Sequence, residues 1–239
     1  MPETETLDRM DLAWAVRRLP ANVRDLLKKH GPKVFLAGGY LRATVANEKV
    51  SDIDLFCPSK DYGEACAKEL AGDGKPHVTP NAFTVRTKPI PTQFITRWTY
   101  ESPLACLAHF DFTVAQAAIW WAGEPTNRWE SACSARFYAD LAAKRLVYLA
   151  PQRNEDAGGS MLRVLKFYQK GYRIPLDSLG AVVARLCTGV RDDGWRDEYH
   201  AARIITALLV EVDPSVDPDH IAHLPTSSDD TRDEEVNRA

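Results

Sequence analysis

Residues 34–56 read VFLAGGYLRATVANEKVSDIDLF. Val34, Phe35, Leu36 and Ala37 form a short apolar run that stops at Gly38-Gly39. A helix-compatible segment from Tyr40 follows, and then a second apolar run broken by two carboxylates, Asp52 and Asp54. The pattern predicts strand, glycine turn, helix, strand. Side chains alternate along a strand, so Asp52 and Asp54 are expected on one face, with Ile53 and Leu55 on the other. Such a pair suits a hard divalent cation, Mg²⁺ or Mn²⁺, which takes oxygen ligands and keeps several waters. Gly38 and Gly39 supply a second half, because a backbone without Cβ turns sharply and approaches a ligand closely. The helix behind them would aim its first N–H groups and its positive dipole end at a phosphate.

These residues resemble the head of the polymerase-β-type nucleotidyltransferases, in particular the CCA-adding enzyme and bacterial poly(A) polymerase group, whose pattern is a glycine pair, Arg-Asp and D-x-D. Here it is carried by Gly38-Gly39, Arg42 and Asp52-Ile53-Asp54. Two later stretches agree. His109–Val114 is similar to the group's R-R-D-F-T-I-N-A segment, and Leu162–Phe167 with Gly171–Ile174 is similar to its neck helix. The departures are Ala43 for the aspartate after the arginine, His109 and Phe110 for both arginines before Asp111, and no E-D-x-x-R run near residues 151–163.

The resemblance implies an Mg²⁺- or Mn²⁺-dependent transfer of a nucleoside monophosphate from an NTP to a hydroxyl, the acceptor being a tRNA-like RNA 3′ end. Asp52 and Asp54 would hold metal, and Gly38 and Gly39 the phosphates. A two-metal site needs a further acidic ligand. In the family it lies on the strand before the R-R-D-F segment, where Thr92–Trp98 offers Gln93 and no carboxylate. Asp111 has three open readings: a contact to the nucleotide ribose, as the resemblance implies, a metal ligand, or a cap on the segment after it. Arg42 could reach a phosphate or form an internal ion pair. Arg163, Lys166 and Lys170 share one helix face, which is either solvated or set against a triphosphate or RNA backbone.

With 45% hydrophobic and 26% charged residues, the composition is that of a globular protein. The net charge of −3 argues against a broad polyanion-binding surface. Asp229, Asp230, Asp233, Glu234 and Glu235 against Arg232 and Arg238 account for it, leaving a neutral body and an acidic tail. Five scattered cysteines without C-x-x-C indicate reduced thiols and a cytoplasmic protein. No stretch has the length of a membrane span, and the N-terminus is acidic with no signal-like core.

Along the chain, residues 7–30 predict two helices, the second started at Pro20 and ended at Gly31-Pro32. A helix is expected from Ser59 or Asp61 to Leu70, antiparallel strands at Phe83–Thr87 and Thr92–Trp98, and a helix at Ser102–Leu107. Phe110–Phe112 predicts a short strand, Val114–Trp121 an apolar helix, and residues 131–144, 159–170, 176–188 and 195–211 further helices. The fold class is therefore α+β: a mixed-sheet nucleotidyltransferase-type head at 1–125, a small helical neck and body at 126–212, and a disordered acidic tail at 213–239. His220 and His223 lack a third metal ligand. Two other functions stay open: a non-catalytic nucleotide- or RNA-binding module of this fold, and a toxin or defence nucleotidyltransferase with another acceptor.

Overall fold

The computed structural model describes residues 3–149, 157–188 and 198–212. The chain divides into two compact units, Met1–Gln152 with Phe167–Leu179, and Arg153–Lys166 with Gly180–Ala239.

The first unit is built on eight strands: β1 (Thr4–Glu5), β2 (Phe35–Ala37), β3 (Ile53–Phe56), β4 (His77–Val78), β5 (Ala82–Val85), β6 (Thr92–Ile95), β7 (Ala117–Trp121) and β8 (Trp129–Ser134). Their order across the sheet is β1-β8-β7-β2-β3-β6-β5-β4. Only the β3–β6 pair is parallel among the described strands. The short run Phe35-Leu36-Ala37 becomes the central strand because all three side chains are buried and the sheet is covered on both faces.

Helices α1 (Arg9–Arg18) and α2 (Ala21–His30) precede β2, and α3 (Gly39–Val45) joins it to β3. Helix α4 (Lys60–Ala71) starts at Ser59, whose hydroxyl accepts from the Tyr62 amide, and α5 (Pro103–Leu107) starts at Ser102 in the same way. Helix α2 packs on β7 and α4 on β5 and β6, whereas α5 packs on β2, β7 and β8. On the α5 side, Phe35, Ala37, Phe56 and Ala118 of the sheet enclose an apolar cluster with Cys106 and Leu107.

Three expectations are corrected. Val114–Trp121 is not a helix: Thr113–Ala115 is one 3-10 turn, and Ala117–Trp121 is β7. A short apolar run buried on both faces has no alternation to mark it as a strand. Residues 131–144 begin with β8, paired to β7 over its length, before α6 (Phe137–Ala142). Phe110–Phe112 forms no strand, only an isolated bridge from Phe112 to Tyr148. Both β8 and α6 belong to the first unit.

Helices α7 (Ala157–Gln169), α8 (Leu176–Thr188) and α9 (Glu198–Val212) match the expected helical stretches. No helix of the described residues is long and apolar enough to cross a membrane. The expected tail at 213–239, with His220 and His223, and the segment 151–156 lie outside the described residues.

Candidate active site

The register of β2 on β3 pairs Phe35 with Phe56 and Leu36 with Leu55, which sets Ala37 beside Asp54 and the Gly38-Gly39 turn beside Asp52. On the other side of β3, Asp54 pairs with Gln93 of β6, and Gln93 pairs with Thr84 of β5. Asp54, Gln93 and Thr84 therefore form one row on the α5 face of the sheet. Asp52 and Asp54 are both half-buried. Burial, and secondly the negative charge of Asp52, push the Asp54 carboxyl up to about 8. Neither carboxylate forms an ion pair with a basic side chain among the described residues.

Two crowded acids without a positive partner and with hard oxygen donors fit a divalent cation. Among the described residues, no three His, Cys, Asp or Glu side chains are grouped to hold one. Asp111 thus does not join Asp52 and Asp54 as a third ligand. It is buried between Phe110 and Phe112, and its backbone carbonyl accepts from the Leu149 amide. Nor does it cap the turn after it, whose first position is Phe112 and which has no side-chain cap.

Gly38 has φ +82°, and its N–H donates to the Ala117 carbonyl at 2.9 Å. A Cβ there would lie 3.0 Å from the Phe110 ring, so glycine is required by the turn and by the ring together. At Gly39 a Cβ would meet nothing within 4 Å, so the open part of the turn is there. Phe110 was not singled out from the sequence as a site residue. The signal was its place in the His109-Phe110 pair that departs from the family pattern. Its ring stands edge-on to Phe56 at 6.1 Å, and Tyr100 lies 5.9 Å from Phe56 and 5.2 Å from His109. His109 donates from Nδ1 to the Ala105 carbonyl at 2.7 Å, which fixes its orientation. An aromatic wall thus borders the carboxylate row.

Arg42 takes the internal ion pair of its two readings. It is buried, pairs with Glu48, and its guanidinium lies 5.2 Å from the Phe167 ring and 5.9 Å from that of Tyr172. The Tyr172 hydroxyl donates to Glu48 at 3.2 Å. Arg163, half-buried, and Lys166, exposed, belong to the second unit.

The model of a family described as "Gabija anti-defense 2 family protein" matches residues 9–144. No curated protein matches the chain. Among solved structures, the Thermotoga maritima CCA-adding enzyme complexed with tRNA is 17% identical with a TM-score of 0.56, over all of this chain and 61% of that one. A CCA-adding enzyme complexed with CTP is 18% identical with a TM-score of 0.55, over 90% of this chain and 52% of that one. The complex of CCA-adding enzyme with ATP gives 16% and 0.56, over 93% and 53%. The fold is the nucleotidyltransferase fold of these enzymes, and the chain spans about half to three fifths of their length.

Proposed function

The chain belongs to the Gabija anti-defense 2 family, and from that premise we propose that it is a metal-dependent nucleotidyltransferase that moves a nucleoside monophosphate from an NTP to a hydroxyl. The observation that carries the reading is the pair Asp52 and Asp54, without a basic partner among the described residues, at the start of β3 beside the end of β2, with the Asp54 carboxyl raised by burial and by the charge of Asp52. Asp52 and Asp54 hold Mg²⁺ or Mn²⁺. Bound there, the ion supplies Lewis-acid neutralisation of charge on the triphosphate oxygens. The open turn at Gly39, next to Gly38, receives phosphate, and Asp111 meets the nucleotide. Arg163 and Lys166 of the second unit are candidate contacts to a polyanion.

The acceptor proposed is an RNA 3′ hydroxyl, by likeness to the enzyme complexed with tRNA. Its transfer would serve the anti-defence role named for the family. A second reading rests on Gln93, which stands opposite Asp54 where a carboxylate would complete a two-ion site. It favours a protein that binds nucleotide without turning it over.

The test is incubation with each α-labelled NTP, Mg²⁺ and total RNA. Label should enter RNA with the natural chain and not with the Asp52→Ala/Asp54→Ala variant. Transfer that survives both alanines overturns the reading, and NTP binding without transfer selects the second.

A further inference from the structure

Residues 9–33 carry seven Lys and Arg side chains (Arg9, Arg17, Arg18, Arg24, Lys28, Lys29, Lys33) against Asp11 and Asp25, in a chain whose net charge is −3. Folding leaves most of that charge unpaired. Of the seven, only Lys29 forms an ion pair, with Glu69, among the described residues. Asp11 is occupied by the Tyr138 hydroxyl at 2.8 Å.

The unpaired cations are interleaved with indoles. Trp14 is 39% exposed on α1, one turn from Met10, which is 78% exposed. The Arg17 and Arg18 guanidiniums lie 4.6 Å and 5.5 Å from the Trp14 ring. Arg24 of α2 reaches back to donate to the Arg17 carbonyl at 3.4 Å, which ties the end of α1 to α2. One turn further along α2, the Lys28 ammonium lies 5.4 Å from the Trp121 ring, and Trp121 stands edge-on to Trp129 at 5.6 Å. Trp120, its neighbour in β7, packs with the α5-side cluster, so Trp121 and the ridge lie on the sheet face opposite Phe56 and Asp54.

We propose that this ridge, from Trp14 through Arg17, Arg18, Arg24 and Lys28 to Trp121, binds single-stranded nucleic acid. Unpaired cations at intervals match a phosphate backbone, and indoles between them offer stacking surfaces to unpaired bases. A duplex, whose bases are stacked inward, can use the cations only. The surface does not depend on the chemistry of Asp52 and Asp54.

Fluorescence anisotropy of the full chain with labelled mixed-sequence 20-mers tests it, in separate arms for RNA, DNA and a DNA duplex. The natural chain should bind at least one single strand more tightly than the duplex, with a log–log salt slope of about −3 for four phosphates neutralised. Arg17→Glu/Arg18→Glu/Lys28→Glu, all exposed sites, should weaken binding by about 30-fold or more and flatten the slope, while circular dichroism and Mn²⁺ binding stay unchanged. Trp14→Ala should weaken binding about tenfold and leave the slope as it was. The proposal is overturned by no binding at about 50 mM salt, by affinity indifferent to the triple reversal, or by equal affinity for duplex and single strand with Trp14→Ala silent.

Discussion

Asp54 and Gln93 face each other across the parallel β3–β6 pair, so the position best placed to add a carboxylate to the acidic pair holds a neutral amide. An amide oxygen can ligate a hard cation but brings no charge to offset a second one. Gln93→Asp is therefore expected to raise Mn²⁺ stoichiometry, read by calorimetry in the presence of a non-hydrolysable NTP, from one ion per chain to two. Nucleotidyl transfer should rise with it by about tenfold or more. Unchanged stoichiometry would remove Gln93 from the site.

Burial and the charge of Asp52 push Asp54 up to about 8. The native state then keeps a proton that the unfolded chain releases near its ordinary value of 3.8. Without metal, the stability this proton confers is present at low pH and is lost as pH rises from about 4 to about 8. Asp54→Asn should thus raise the melting temperature of metal-free protein at pH 9 by about 3 °C or more, with no gain at pH 4. Mn²⁺ must displace the same proton, so its affinity should climb about tenfold per pH unit between pH 6 and 8.

Much of this arrangement was legible because its signals are local. The glycine turn, the D-x-D strand and the serine caps at Ser59 and Ser102 are each fixed within a few residues of sequence. Strands β7 and β8 were not, because Ala117–Trp121 is apolar throughout and takes its identity from β2 on one side and β8 on the other. The two-residue β1 exists only through its pairing with Ser134 and Cys133. Arg42 showed the same limit: Glu48 lies nearby in sequence, but Phe167 and Tyr172, which enclose the pair, do not.

The contact of Phe110 with Gly38 makes a two-part expectation. Gly38→Ala combines a positive φ with a Cβ 3.0 Å from the ring and should cost about 1–3 kcal/mol in urea unfolding. In the Phe110→Ala background the same change should cost less, since only the backbone strain is left. Equal costs in both backgrounds would mean the ring does not press on the turn.

Asp140 is fully buried and accepts from Thr113 at 2.7 Å, Arg136 at 3.1 Å and Arg145 at 2.8 Å. Burial alone would raise its carboxyl, but hydrogen bonds from Arg136, Thr113 and Arg145 outweigh it and hold the group below its ordinary value. Its stabilising effect is therefore present above about pH 4 and lost as pH falls further. Asp140→Ala should destabilise by about 3 kcal/mol at pH 7, and Arg136→Ala, at an exposed side chain, by less than about 1 kcal/mol. Urea unfolding at pH 7 separates the two.

The most direct measurement is a Mn²⁺ titration followed by electron paramagnetic resonance, on the natural chain and on Asp52→Ala/Asp54→Ala, each with and without a non-hydrolysable NTP. If the carboxylate pair is the metal site, the natural chain binds one Mn²⁺, binds it more tightly with nucleotide, and the double variant loses both effects while keeping its fold. Mn²⁺ bound equally well by the double variant would contradict it.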